Sequence, residues 1–85
     1  MTIVKLNRFT KEFESLPLDI KQRARKQLAL FFQNPKHPSL QIKKMQGYPN
    51  TWEGRVTKSY RFTFTIESNR IILRRIGAHS ILKRP

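Results

Sequence analysis

Apolar residues recur along the chain first with helical spacing and then with strand spacing, so the sequence predicts a helical half followed by a sheet half. Residues 2–6 alternate in polarity and predict a short first strand. Phe9, Phe13 and Leu16 lie at i, i+4 and i+7 and predict one face of a first helix. Pro17 suits the first position of a second helix. The apolar stripe of that second helix consists of Ile20, Ala24, Leu28 and Phe31.

The second helix is expected to end at Asn34-Pro35, because proline interrupts helical hydrogen bonding, and a loop follows at 35–38. Strand patterns then occur at 41–45, 51–57, 60–66 and 70–76. This order predicts an α+β fold: an N-terminal strand, a two-helix hairpin, and an antiparallel sheet of about four strands with the helices packed on one face. The 85 residues are enough for one small domain, which we expect to span 1–85.

A three-residue loop at 57–59 predicts the register of the central hairpin, since a slip of one residue would turn every side chain to the wrong face. Val56 then pairs with Tyr60, and a second turn at 68–69 pairs Phe64 with Leu73. The face opposite the apolar one carries Glu53, Arg55, Arg61, Thr63, Thr65 and Arg74. Arg55 and Arg61 become direct neighbours across the strands, where like charges repel. A phosphate bound between them would stabilise this pair.

The charge balance indicates the kind of partner. Lys and Arg number 18 against 5 Asp and Glu, which gives a formal net charge of +13 and a pI near 11.3. Such an excess favours nucleic acid, an anionic membrane surface or an acidic protein. No apolar run approaches the roughly 18 residues of a membrane span, and no signal peptide is visible. We therefore expect a cytoplasmic protein that does not bind membranes.

The same residues argue against a cofactor or a metal. There is no cysteine, and the acidic residues are scattered at 12, 14, 19, 53 and 67 without ligand-like spacing to a histidine. There is also no glycine-rich phosphate loop and no dinucleotide fingerprint. We expect no cofactor and no metal.

Three candidates for chemistry remain on the predicted polar face and at its edge. Arg55 and Arg61 could grip phosphate oxygens with their planar donor forks, although a solvated basic face would look similar in sequence. His79 follows the Gly77-Ala78 break and could act as a general acid or base, whereas a lone histidine is more often a capping or surface residue. Glu53 could accept a proton from a ribose 2′-hydroxyl, or it could simply neutralise the arginines.

Four short motifs, taken in order, resemble the RelE/ParE toxin superfamily of bacterial toxin–antitoxin systems. They are Lys43-Lys44-Met45-Gln46-Gly47, Trp52-Glu53-Gly54-Arg55-Val56, Tyr60-Arg61-Phe62 and Ile76-Gly77-Ala78-His79. The resemblance implies a small basic toxin that an acidic cognate antitoxin neutralises, either a monomer when free or part of a toxin–antitoxin hetero-oligomer. RelE-like members cut mRNA on the ribosome without a metal, by attack of the 2′-hydroxyl on the adjacent phosphate. ParE-like members inhibit DNA gyrase.

On this resemblance we expect a type II toxin that acts as a ribosome-dependent mRNA endonuclease in contact with ribosomal RNA. Arg61 matches the arginine that stabilises the phosphorane, and His79 matches a catalytic position. The expected catalytic residues are His79, Arg61, Arg55 and Glu53. The expected RNA- and phosphate-binding residues are Lys43, Lys44, Arg74, Arg75 and Lys83. Two departures, Ser80 in place of an acidic residue and the absence of a C-terminal tyrosine, keep two alternatives open: a gyrase inhibitor and a catalytically inactive RNA-binding member.

Overall fold

In the computed structural model, which describes residues 2–85, the helices and strands follow the predicted order. They are β1 (Thr2–Lys5), α1 (Asn7–Glu14), α2 (Leu18–Gln33), β2 (Lys43–Lys44), β3 (Thr51–Arg55), β4 (Tyr60–Glu67) and β5 (Arg70–Ala78). Two 3₁₀ helices, Pro38–Leu40 and His79–Lys83, precede β2 and follow β5. The predicted α+β class with its N-terminal strand and helical hairpin is confirmed.

The helices begin and end close to the predicted residues. Pro17 is the N-cap of α2 and not its first residue, and Asn34 is the C-cap, as the Asn34-Pro35 signal indicates. Leu16 lies in the connection after α1, so its assignment to the first helix was wrong. Its backbone N–H nevertheless donates to the Phe13 carbonyl, and its side chain is buried. Leu16 therefore packs into the core from the turn, as it would have done from the predicted helix.

The sheet has five strands in the order β1-β5-β4-β3-β2. From β2 to β5, each strand runs antiparallel to its neighbour, as predicted. The first strand adds a fifth member that the prediction did not place in the sheet: β1 runs parallel to β5, with Thr2 beside Arg70 and Lys5 beside Leu73. Two parallel strands need a long crossover connection, and here the rest of the chain, with both helices and β2 to β4, separates β1 from β5. The sheet is therefore mixed.

The β3–β4 hairpin has the predicted register, with Arg55 opposite Arg61. The Val56 N–H donates to the Tyr60 carbonyl at 3.0 Å and closes the loop at 57–59. The second turn also lies where predicted, since residues 68 and 69 have φ values of 45° and 65°, as a tight two-residue hairpin requires.

The sequence pattern does not predict the β-bulge in β5. Leu73 is the last residue in the predicted register, and the next pair is Arg75 with Thr63, so Arg74 has no partner on β4. Uninterrupted alternation would have turned Arg75 into the core and Ile76 out of it. One extra residue reverses both placements and sharpens the local bend of the strand.

The core lies between the helices and one face of the sheet. Phe31 of α2 contacts two sheet aromatics, with ring centroids 5.3 Å from Phe62 and 4.8 Å from Phe64. Gly54 faces Phe62 across the strands, and a Cβ there would overlap the Phe62 ring and come within 2.9 Å of the Ile42 side chain. Glycine at this position lets the ring lie flat over β3. The opposite face of the sheet carries mainly polar residues, together with Val4 and Ile72 at the β1–β5 edge.

None of the helices among residues 2–85 has the length and apolar character needed to span a membrane.

Candidate functional site

The polar face of the sheet carries an arginine pair close to the β3–β4 turn. Arg55 and Arg61 are cross-strand neighbours and both are half-buried. Glu53 lies on the same face and is buried, at 8% exposure. Its Oε1 is 3.6 Å from the Arg61 Nε, in an ion pair whose two side chains are 14% and 11% exposed. One carboxylate thus offsets part of the repulsion between two guanidinium groups.

Arg61 is held in place by the hairpin loop as well as by Glu53. Its Nη1 donates to the carbonyls of Thr57, Lys58 and Tyr60, at 2.5, 2.8 and 3.1 Å. The Tyr60 carbonyl also accepts from the Val56 and Thr57 N–H groups, whereas the bonds to the Thr57 and Lys58 carbonyls tie the guanidinium to the loop at the turn end of the sheet. In this arrangement Nη1 points to the loop, so the Arg61 fork is only partly available to a ligand.

Arg55 is positioned from the helix side. Gln27 of α2 donates through its Nε2 to the Arg55 carbonyl at 3.0 Å, and more weakly to the Ser39 carbonyl at 3.4 Å. This side chain ties α2 to β3 and to the 3₁₀ helix before β2. The backbone of Arg55 is therefore held by β4 on one side and by α2 on the other.

His79 begins the 3₁₀ helix that follows β5. Ala78 pairs with Tyr60 and Gly77 with Arg61, so the strand ends beside the arginine pair. The His79 N–H then donates to the Ser59 carbonyl at 2.8 Å, which holds its backbone against the hairpin loop. The side chain is exposed, as is that of Ser80. The structure thus brings His79, Arg55, Arg61 and Glu53 to one end of the sheet.

The two lysines of β2 point to opposite faces of the sheet. Lys43 pairs with Glu53 and so lies on the strand position next to that carboxylate. Lys44 pairs with Trp52, and its Nζ lies 6.0 Å from the centroid of the Trp52 ring. Both were expected to bind RNA or phosphate near the arginine pair. Successive residues of a strand point to opposite faces, so only Lys43 is placed for that role.

Arg75 has a structural partner. Its guanidinium meets the Glu12 carboxylate of α1, with Nη2 2.6 Å from Oε2, and its Nη1 donates to the Arg84 carbonyl at 3.1 Å. Glu12 also accepts a hydrogen bond from the Ile76 N–H at 3.3 Å. The expected phosphate-binding role of Arg75 therefore competes with an ion pair that joins α1 to β5.

Arg74 and Lys83 lie away from the arginine pair. They line a cavity of about 850 Å³ together with Arg8, Tyr48, Arg75 and Arg84. The prediction grouped Arg74 with Arg55 and Arg61 because it ignored the bulge. The predicted phosphate-binding residues are therefore divided between the turn end of the sheet and this cavity.

Sequence reasoning missed Arg8, Tyr48 and Arg84. The spacing Leu73-Arg74-Arg75-Ile76, with two polar residues between apolar ones, was the available signal for the bulge. Nothing in the local pattern shows that Tyr48 approaches the segment after β5, because that contact joins residues far apart in the chain: the Tyr48 hydroxyl donates to the Lys83 carbonyl.

The chain has the fold of the RelE/ParE toxins, as comparison with solved structures shows. It is similar to the RelB–RelE antitoxin–toxin complex of Methanococcus jannaschii, with 22% identity, 94% of each chain covered and a TM-score of 0.75. It is also similar to YafQ from Escherichia coli, with 14% identity, 94% of each chain covered and a TM-score of 0.77. The YoeB/ParE toxin of Agrobacterium tumefaciens is 14% identical, with 93% of this chain and 99% of the other covered and a TM-score of 0.75.

No family model matches the sequence, and no curated protein matches it significantly. At these identities the structural likeness establishes the fold, which confirms the resemblance at that level.

Proposed function

We propose that this protein is the toxin of a type II toxin–antitoxin pair and that it cleaves mRNA on the ribosome without a metal. The fold is shared with chains described as RelE and YafQ toxins, some of them in complexes with an antitoxin. The observation that carries the proposal is the arrangement at the turn end of the sheet. Two neighbouring arginines and one buried carboxylate lie together there, and the exposed His79 follows the adjacent strand end, with its backbone bonded to the hairpin loop.

The geometry supports specific roles. The scissile phosphate binds at Arg55 and Arg61, where the guanidinium groups balance the charge that develops on the phosphorane. The 2′-oxygen attacks phosphorus and loses its proton to a base, the P–O5′ bond breaks, and the 5′-oxygen takes up a proton from an acid. His79 exchanges one of these protons from its exposed position. The products are a 2′,3′-cyclic phosphate and a 5′-hydroxyl.

Glu53 acts as a positioning residue in this scheme. Its carboxylate is buried and lies 3.6 Å from the Arg61 Nε. A buried, paired carboxylate is poorly placed to take a proton from a ribose. It holds Arg61 and lowers the cost of placing two arginines side by side.

The charge of the chain supports an acidic protein partner. A net charge of +13 over 85 residues leaves most basic side chains without a carboxylate of their own. An acidic antitoxin would neutralise this excess, and the same charge would attract the chain to ribosomal RNA and mRNA in the cytoplasm when the antitoxin is absent.

The test is cleavage of ribosome-bound mRNA by the wild type and by three variants. We expect His79→Ala to lower the rate at least 100-fold and Arg61→Lys to lower it about 10-fold or more, because lysine keeps the charge but loses the planar fork. Arg70→Lys is the matched control, since Arg70 is exposed at the far end of β5. Equal rates for all four proteins would remove these roles.

A second candidate function, non-enzymatic inhibition of DNA gyrase, is favoured by one observation. The Arg61 Nη1 is already bonded to three loop carbonyls, which leaves this arginine less free to stabilise a phosphorane. A supercoiling assay separates the two functions. Inhibition of gyrase without 2′,3′-cyclic phosphate products would support the second and contradict the first.

A further inference from the structure

A basic cavity opens on the polar face of the sheet, apart from the arginine pair. We define it by six residues that line it: Arg8, Tyr48, Arg74, Arg75, Lys83 and Arg84. Thr51 and Thr65 form part of its floor, and they pair across β3 and β4. Its volume is about 850 Å³. The lining contains five basic side chains and one acidic side chain, that of Glu67. A space of this size with such an excess of basic groups suits an anionic group larger than a single ion.

Arg74 distinguishes the basic cavity from an ordinary basic surface. It is the extra residue of the β5 bulge, and bulges commonly re-aim a side chain beside a functional site. Arg75 is paired with Glu12, and Arg61 with Glu53. Within residues 2–85, no carboxylate lies within salt-bridge distance of Arg74, although the residue is half-buried. A partly desolvated guanidinium that forms no ion pair, in a cavity whose charged lining is basic apart from Glu67, favours binding of an anion.

Tyr48 contributes an aromatic surface held in a fixed orientation. Its hydroxyl donates to the Lys83 carbonyl at 2.7 Å, so the side chain is anchored at its tip. The residue is 38% exposed, among the large apolar and aromatic side chains that the fold leaves open to solvent. An aromatic ring beside phosphate-binding groups is the arrangement on which bases of single-stranded nucleic acid stack.

The distance to the arginine pair fits a continuous strand of RNA. Arg74 and Gly77 are three residues apart on β5, and Gly77 lies opposite Arg61. At about 3.4 Å per residue, the basic cavity begins roughly 10 Å from the arginine pair. Thr65 and Thr63 continue the same face between them. A single strand that places one phosphate at the arginine pair can therefore reach the basic cavity with a neighbouring nucleotide.

The lining favours a nucleotide over an acidic protein segment. Besides Tyr48, the apolar residues of the cavity wall are Leu6, Pro49 and Pro85. A protein segment gains most of its affinity from apolar anchors in well-packed pockets, which this wall offers sparsely. A nucleotide needs a positive charge for its phosphate and a ring for its base, and both are present.

We propose that the basic cavity is a second nucleotide-binding site, in which Arg74 binds a phosphate of single-stranded RNA and Tyr48 stacks on a base. The proposal rests on the proposed function, because it extends the path of the RNA that the arginine pair would cleave. It concerns binding in the absence of the ribosome, so it can be tested separately from cleavage.

The experiment measures the affinity of the full chain for a short fluorescein-labelled oligouridylate by fluorescence anisotropy, between about 50 and 200 mM salt. We expect Arg74→Gln to weaken binding about tenfold and to reduce the slope of log K against log salt by about 0.7. Arg70→Gln removes the same charge from the same strand outside the cavity, and we expect it to change the affinity less than about threefold. Thermal unfolding of each variant checks that it is folded.

Tyr48 is tested by a pair of variants. Tyr48→Leu removes the ring and is expected to weaken binding about tenfold, in the range found when a stacking aromatic is lost. Tyr48→Phe keeps the ring, loses only the hydroxyl bond to Lys83, and should bind within about threefold of wild type, because that bond orients the ring without touching the RNA. These two results together support stacking on the ring.

Several outcomes would overturn the proposal. Equal losses for Arg74→Gln and Arg70→Gln would show general charge attraction without a site. Equal affinities for Tyr48→Leu and wild type would exclude stacking. Polyglutamate that binds as tightly as the oligouridylate, with the same dependence on Arg74, would assign the basic cavity to an acidic protein. If Arg74 and Tyr48 prove necessary for binding and ribosome-bound mRNA stays intact, the proposed cleavage fails while the nucleotide site stands.

Discussion

At the scale of single residues, the arginines of the polar face differ in whether a carboxylate or a carbonyl partner neutralises them. Arg61 is paired with Glu53 and bonded to loop carbonyls, and Arg75 is paired with Glu12. Both are therefore part of the scaffold as well as candidates for binding. Arg74 has no such partner among the described residues, so its guanidinium is not committed to the scaffold.

The Glu53 ion pair gives a prediction at this scale. Glu53→Gln should lower the free energy of unfolding by about 1–3 kcal/mol, because Arg55 and Arg61 then repel each other without a carboxylate between the strands. Urea unfolding measures the change. Glu67→Gln is the control, since Glu67 is exposed on the same polar face of β4 and should cost less than about 0.5 kcal/mol. Similar losses at both positions would show that Glu53 has no special role.

At the scale of elements, the β5 bulge and the segment after it are joined through one hydroxyl. The Thr63 side chain is fully buried; its Oγ1 donates to the Pro85 carbonyl at 3.0 Å and accepts from the Arg75 N–H at 3.1 Å. The bulge leaves the Arg75 N–H without a regular ladder partner, and Thr63 supplies the acceptor. The same hydroxyl holds Pro85, which lines the basic cavity, against the sheet.

Thr63→Val should therefore affect both elements at once. We expect a loss of about 1–3 kcal/mol in the free energy of unfolding, because valine keeps the shape but leaves two buried polar groups unpaired. Hydrogen exchange at Arg75 should also become faster. Thr65→Val is the matched control on the same strand and face, since its Oγ1 lies 3.4 Å from the Glu67 carboxylate and makes a weaker bond. Unchanged exchange at Arg75 would contradict this account.

Some of the strand pairings could be predicted from the sequence alone, and others could not. Alternating polarity and turn residues were enough to predict the Arg55–Arg61 pairing, because a slip would bury charge. They could not place β1, since its pairing with β5 depends on contacts between distant residues. They also missed the bulge, and with it the separation of Arg74 from Arg61. The arginine pair was thus predictable from local pattern, whereas the basic cavity required the folded chain.

At the scale of the whole molecule, charge works against the fold. A net charge of +13 is spread over a molecule with a radius of gyration of 11.7 Å. Like charges at such density repel and destabilise the compact state. The ion pairs Arg75–Glu12, Lys21–Glu14 and Arg61–Glu53 offset only a small part of this repulsion.

Screening should consequently stabilise the free protein. Raising NaCl from about 0.01 to 0.1 M shortens the Debye length from about 30 to 10 Å, and we expect the thermal midpoint to rise over this range. Lys26→Gln removes one exposed charge and should reduce the response to salt. A midpoint that falls with added salt would show that attraction within the ion pairs outweighs the repulsion.

The parallel pairing of β1 with β5 also sets the order of events during synthesis. Thr2 pairs with Arg70, so β1 has no partner strand until residues 3–70 have been synthesised. At ordinary rates of translation this wait is roughly 3–14 s. Until then the sheet lacks the strand with which β1 pairs. The basic cavity also lacks Arg74 and Arg75, and Arg61 lacks its β5 neighbour Gly77. The nascent chain therefore completes the polar face of its sheet only after β5 has been synthesised.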